Sequence, residues 1–186
     1  MLVLEVILVL LTFFFGASIL WSTLFLGISP MPSSKKARQA MIQLSHETGQ
    51  GPIFELGSGW GNLLIPMALK HPQRKIVGYE LSLLPWLTTA VLKRLFRLDN
   101  LQVFRKNFLQ ADLSSASLIL CYLCPNGMHD IETQLASKDG NLEYLISNNF
   151  ALPSHQAVAK IQLTDFYKSP VYLYKFKPLK NQAQLH

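Results

Sequence analysis

Two short stretches carry residues whose types and spacing could do chemistry. The first is Glu55-Leu56-Gly57-Ser58-Gly59-Trp60-Gly61, an acidic residue followed by three glycines at every second position. Glycine is needed where a backbone bends sharply and lies directly against a ligand. The second is Ile76-Val77-Gly78-Tyr79-Glu80, a short apolar run closed by a carboxylate. A carboxylate at the end of a second strand can accept two hydrogen bonds from the hydroxyls of a ribose. Together they predict a site for a cofactor that carries a ribose.

The spacing narrows the choice. A dinucleotide fingerprint has the form G-x-G-x-x-G and turns a helix N-terminus toward a pyrophosphate. Here the spacing is G-x-G-x-G, and Glu55 stands two places before the first glycine. A carboxylate so close would repel a pyrophosphate and would suit an ammonium group. S-adenosylmethionine has an ammonium, a sulfonium and a ribose, and is the cofactor this pattern fits.

The elements that must position these residues can be read from hydrophobic periodicity. A helix is expected over 35–46, capped by Ser33 or Ser34, with Ala37, Ala40, Met41 and Leu44 on one face. Strands follow at 53–56, 75–79, 101–105, 117–123 and 142–147, alternating with helices at 62–70, 83–98 and 128–137. Pro66 should bend or shorten the first of these three helices. In the second, Trp86, Ala90, Val91, Leu95 and Leu98 read as the inward stripe. The run at 117–123 is apolar almost throughout, as in a central parallel strand buried on both faces. Two alternating segments, 158–163 and 171–176, read as an antiparallel pair. The expected fold is a doubly wound, Rossmann-like α/β sheet, mostly parallel, closed by a C-terminal antiparallel pair.

Ligands of such sheets bind at the carboxyl ends of the strands. Besides Glu55–Gly61 and Glu80, those ends carry Asn107 and Phe108 after the third strand, and Tyr122, Cys124, Pro125 and Asn126 after the fourth. The latter four are the expected approach side of a methyl acceptor. No residue stands out as a general base; His129 fits a loop or helix start better.

The chain resembles the class I S-adenosylmethionine-dependent methyltransferases, whose first motif is matched by Glu55 to Gly61 and whose ribose-holding acid is matched by Glu80. The likeness extends to Gly78-Tyr79-Glu80-Leu81-Ser82, Pro85-Trp86-Leu87, Phe104-Arg105-Lys106-Asn107-Phe108 and Asn149-Phe150-Ala151-Leu152-Pro153. These segments are similar to small membrane-anchored protein-lysine methyltransferases, including those that act on the ATP synthase c-subunit and the adenine nucleotide translocase. The resemblance implies that Glu55 holds the methionyl ammonium side and that Gly57, Ser58, Gly59 and Gly61 let the backbone approach the cofactor. It also implies that Glu80 holds the ribose, that Asn107 and Phe108 border the adenine, and that the acceptor is a lysine amine of a membrane or membrane-adjacent protein. Methyl transfer to a lipid or other small amphiphile, and cofactor binding without catalysis, are the alternative readings. The chain departs from that group at Trp60, Asn62 and Asn107, where Asp, Arg and Asp are usual.

Composition sets the remaining expectations. The chain has 186 residues and a formal charge of +6, enough for one domain of about 150 residues and an appendage. No charged residue occurs over 6–28, and 23 residues in a helix reach roughly 34 Å, enough to cross a bilayer core of about 30 Å. The run lacks the basic start and cleavage site of a signal peptide. It predicts a transmembrane anchor over 1–29, with a methyltransferase domain over 30–186. Lys35, Lys36 and Arg38 follow closely, so a single-pass membrane location with the domain on the cytoplasmic or equivalent side is expected. The expected partners are the lipid bilayer and a protein substrate. Basic residues are scattered without aromatic interleaving, so no nucleic acid is expected. Cys121 and Cys124 lie in an apolar run with no second pair, and are expected to be buried thiols with no metal.

Overall fold

The computed structural model describes residues 3–10, 12–13, 16, 33–137, 140–165 and 168–176. The chain divides into two compact units, Met1–Met31 and Pro32–His186. The second unit holds a seven-stranded sheet in the order β3-β2-β1-β4-β5-β7-β6. Its strands are β1 Ile53–Leu56, β2 Ile76–Glu80, β3 Leu101–Arg105, β4 Leu118–Cys121, β5 Tyr144–Asn148, β6 Ala159–Gln162 and β7 Pro170–Lys175. The first five run parallel, and β7 is antiparallel to both β5 and β6. The helices are α1 Lys35–Ser45, α2 Leu64–Lys70, α3 Leu83–Leu95 and α4 Pro125–Ala136. The expected doubly wound sheet with its C-terminal antiparallel pair is therefore present.

Alternation along each central strand splits the core in two. Ile53, Ile76, Leu118, Leu120 and Ile146 pack with Met41 of α1 and with Leu64 and Met67 of α2. Phe54, Leu56, Val77, Ile119, Cys121 and Leu145 pack on the opposite face with Met128 and Ile131 of α4. All four residues of β4 are buried, as a strand covered on both faces requires. Helix α1 starts where the sequence places it: Ser34 Oγ accepts a hydrogen bond from Ala37 N at 3.1 Å, an N-cap contact of about 1 kcal/mol.

The ends of the sheet differ in character. Beyond the N-terminal ends of the strands, Arg74 is 2% exposed, yet its guanidinium donates to Gly51 O, Ser45 O, Thr48 Oγ1 and Ser117 Oγ. It locks the entries to β1 and β4 together.

Two expectations are corrected. The stripe on α3 is rotated: Leu84, Pro85 and Thr89 are its buried residues, whereas Val91 and Leu95 are 58% and 71% exposed. The apolar residues of α3 encircle the helix, so periodicity could not choose its inner face. The expected transmembrane anchor, and with it the single-pass membrane location, is also overturned. No helix among the described residues is long and apolar enough to cross a membrane. Residues 11, 14, 15 and 17–32, which include the whole second half of the expected span, lie outside the described residues.

Candidate active site

The site is built where β1 and β2 end. Glu55 pairs in register with Gly78, and Glu80 follows Gly78 by two residues. Residues two apart on a strand share a face, so both carboxylates lie on the same side of neighbouring strands. Glu55 is 7% and Glu80 9% exposed. Glu55 Oε2 and Ser58 Oγ are buried with no hydrogen-bond partner. Burial, and after it the proximity of Glu80, holds the Glu55 carboxyl well above the ordinary carboxylate range. The adjacent Cys121 thiol is pushed up to about 12, by burial first and Glu55 second.

The glycine loop is tied to β2 and α3. Gly57 N and Ser58 N both donate to Tyr79 O at 2.9 Å. Gly59 N donates to Glu80 Oε2 at 2.8 Å, and Thr89 Oγ1 donates to Gly59 O at 3.3 Å. Two of the glycines have different duties. A Cβ on Gly61, whose φ is +76°, would lie 2.8 Å from Thr89 Oγ1, so α3 packs against bare backbone there. A Cβ on Gly59, at φ +53°, would meet nothing within 4 Å, so that position faces open space.

Glu80 is engaged by its own chain: Oε2 accepts Gly59 N, and Oε1 accepts Ser82 N at 2.7 Å. A carboxylate offers about four lone-pair sites. Two are used here, and two are left for donors from a ligand.

The third strand's end carries Asn107 and Phe108, both half-buried. Asn107 Oδ1 accepts Leu109 N at 3.0 Å and caps the short 3-10 turn Phe108–Gln110. Phe108 packs against the same core cluster as Tyr79 and Cys121. After β4, Tyr122 and Cys124 are half-buried, and Pro125 and Asn126 open α4 as exposed residues. Both cysteines are free thiols, Cys121 buried and Cys124 half-buried. Register brings Tyr122 beside the loop, because Leu56 pairs with Cys121 and each chain then advances by one, to Gly57 and Tyr122. Leu123 Cδ2 would touch a Cβ on Gly57 at 3.7 Å. His129 is exposed on α4. Among the described residues, no group of three or more His, Cys, Asp or Glu could hold a metal ion.

Sequence reasoning missed several contributors. Thr89 holds the glycine loop, and its only signal was the polar pair Thr88-Thr89 inside an apolar helix. A Cβ on Gly78 would fall 2.3 Å from Leu64 Cδ2 and 3.2 Å from Ser58 Oγ, so this glycine seats α2 and the loop on β2. Asn149 takes φ +70°, in the left-handed region that Asn tolerates better than most residues. The Phe150 ring stacks on Tyr122 with centroids 6.4 Å apart and planes 20° apart. Asn148, the last residue of β5, keeps Oδ1 buried without a partner.

Comparison with known proteins places this geometry. The family model described as the ANTKMT methyltransferase domain matches residues 55–159. A sequence search of curated proteins found no match. Among solved structures, an RNA methyltransferase from Salinibacter ruber in complex with S-adenosyl-L-homocysteine is similar with a TM-score of 0.68 and 21% identity. The match covers 84% of this chain and 99% of that one. The m1A22 tRNA methyltransferase of B. subtilis gives a TM-score of 0.62 at 15% identity, over 79% of this chain and 68% of that one. At these identities the likeness concerns the fold.

Proposed function

The chain belongs to the family of the ANTKMT methyltransferase domain, among the class I S-adenosylmethionine-dependent methyltransferases, and we propose that it transfers a methyl group from S-adenosylmethionine to a lysine amine of a protein. The observation that carries the cofactor's placement is the unsatisfied end of β1. Glu55 Oε2 and Ser58 Oγ are buried without partners beside a glycine whose side-chain position is empty. Natural proteins rarely leave buried polar atoms unpaired, and each costs about 1–3 kcal/mol. A ligand bearing an ammonium and hydroxyls would relieve that cost.

In this reading Glu55 faces the ammonium of the methionyl part. The backbone at Gly57 and Gly59 lies along the ligand. The two unused lone-pair sites of Glu80 accept the ribose hydroxyls. Asn107 and Phe108 border the adenine, with Asn107 Nδ2 as the available donor because Oδ1 caps the turn. The bound cofactor supplies an electrophilic methyl group on a sulfonium. The protein must then align the acceptor nitrogen with the methyl and sulfur, and such positioning can contribute about 7–11 kcal/mol. A lysine amine must also arrive neutral, against an ordinary pKa near 10.4. Buried Leu123 and the uncharged run 118–127 favour loss of that proton by withholding water. Tyr122, Cys124, Pro125 and Asn126 frame the approach.

The lysine acceptor is supported by the family match and by the segments shared with protein-lysine methyltransferases. The test is incubation of the protein with methyl-labelled S-adenosylmethionine and a cell extract, followed by separation of protein, RNA and lipid. Label in protein that hydrolyses to methyl-lysine is expected. Label confined to RNA or to the organic phase would refute the acceptor and leave the transfer reaction standing.

A further inference from the structure

Two aromatic rings meet on the expected acceptor side, where Phe150 also borders the core cluster of Phe54, Cys121 and Leu152. Tyr122 follows β4 and Phe150 follows β5, and these neighbouring parallel strands pair Cys121 with Ser147. Both rings are half-buried, and they stack 6.4 Å apart at 20°. The turn that brings Phe150 back onto Tyr122 is built with care. Asn149 adopts φ +70°, a conformation that costs an L-residue about 1–2 kcal/mol. Three hydrogen bonds hold it: Ser147 Oγ to Phe150 O at 2.6 Å, Asn149 N to Pro170 O at 2.7 Å, and Leu152 N to Tyr174 Oη at 2.9 Å. A strained turn pinned this way fixes the orientation of the ring it carries.

Charge is distributed unusually around the pair. The protein's formal charge is +6, yet 118–127 and 144–153 contain no Lys or Arg, and no Asp or Glu. These two segments themselves offer an arriving cation neither repulsion nor a carboxylate. What it meets is the negative face of aromatic rings, which attracts ammonium ions within about 6 Å of the centroid.

We propose that Tyr122 and Phe150 form the wall of the acceptor subsite and that this wall prefers an alkylammonium head group, so that an amine already carrying methyl groups is retained. The inference rests on the amine-methylating reading above and specifies how its acceptor is held. A methylated ammonium is larger and less strongly hydrated than a primary one, so it gives up less on leaving water for a ring face. The wall therefore favours successive methylations of one amine over release after the first.

The test uses the full chain with S-adenosylhomocysteine and two probes of one shape. Choline carries a quaternary ammonium, and 3,3-dimethylbutan-1-ol replaces that nitrogen with carbon. NMR titration is expected to show choline bound about tenfold more tightly, a difference of about 1.4 kcal/mol. Tyr122→Phe keeps the preference, because the ring is kept. Tyr122→Leu and Phe150→Leu abolish it, while calorimetry shows S-adenosylhomocysteine affinity within about threefold of wild type. Circular dichroism melting identifies folded variants, and either leucine variant suffices alone. Equal binding of the two probes to the wild type overturns the inference, as does a preference that survives loss of either ring. Failure of S-adenosylhomocysteine to bind the wild type would bring down the donor reading as well, whereas its binding without choline preference condemns only the aromatic wall.

Discussion

Replacing Glu80 separates two duties that one carboxylate performs. Its oxygens accept Gly59 N at 2.8 Å and Ser82 N at 2.7 Å, and on the proposed reading they also accept two ribose hydroxyls. Hydrogen bonds to a charged group contribute about 1.5–3 kcal/mol each. Glu80→Ala removes all four and leaves two backbone donors unserved, so lost binding in that variant would report on loop collapse as much as on the ribose. Glu80→Gln is the cleaner change. Its single carbonyl oxygen keeps one backbone bond, its amide points a donor where an acceptor is required, and the charge is gone. The two ribose bonds together are worth about 3–6 kcal/mol, so affinity for S-adenosylhomocysteine should fall at least about 100-fold. The loss of one backbone bond should lower stability by about 1.5–3 kcal/mol. Calorimetric titration with S-adenosylhomocysteine and with its 2′,3′-dideoxy analogue closes the cycle. The wild type should discriminate strongly between the two ligands, and Glu80→Gln should bind both with nearly equal weakness. If wild type and variant discriminate equally, Glu80 does not contact the sugar and the assignment is wrong.

Glu55→Gln tests the buried carboxyl by pH. Folding raises the Glu55 pKa above its ordinary 4.5, so its stabilising effect is complete below about 4.5 and is lost as pH rises through the folded value. Wild-type melting temperature should therefore decline more than that of Glu55→Gln as pH rises above about 4.5, and parallel profiles would refute the burial argument. The same variant should bind S-adenosylmethionine more weakly by calorimetry at neutral pH, because an amide cannot neutralise an ammonium. Gly78→Ala drives a methyl to 2.3 Å from Leu64 Cδ2 and should destabilise by about 1–3 kcal/mol in urea titration. Arg74→Met removes four hydrogen bonds and should cost about 2–4 kcal/mol of stability, while affinity for S-adenosylmethionine measured on the folded protein stays unchanged.

Much of this architecture was legible because the relevant signals are local. Glycines at alternate positions, an acid at a strand end, Ser34 before an amphipathic helix, and the apolar run through Ile119 each declare themselves within a few residues. The third strand was located to the residue, between the turn at Asp99-Asn100 and the polar stretch after Arg105. What stayed hidden is relational. Val91 and Leu95 read as core because they are apolar, but only the packed sheet decides which side of an apolar helix is covered. The pairing of Glu80 with Gly59 N needed the fold of the loop, and the stacking of Tyr122 on Phe150 joins residues 28 positions apart in sequence. The apolar stretch at 6–28 had the composition of a spanning helix, yet composition sets only what length could suffice, and no described helix attains that length.

The two ends of the sheet show where the chain tolerates cost. At the N-terminal end a charged side chain is buried with all its nitrogens supplied, and Asn100 Nδ2 alone reaches Ala68 O, His71 O and Arg74 O. At the C-terminal end three of the four unpartnered buried polar atoms of the described residues are found: Glu55 Oε2, Ser58 Oγ and Asn148 Oδ1. The left-handed backbone of Gly57, Gly59, Gly61 and Asn149 gathers there too. Stability alone would select against such clustering, since each orphan costs about 1–3 kcal/mol and volume-matched apolar residues could replace it. The same chain satisfies its buried groups fully at the opposite end, so the asymmetry is not a general looseness of packing. It is accounted for if the deficit at the β1–β4 edge is made good only when donors and a cation from outside occupy it. On that reasoning, saturating S-adenosylmethionine should raise the melting temperature of the wild type more than that of Glu55→Gln. Equal shifts in the two proteins would show that the orphaned carboxyl is not what the ligand satisfies.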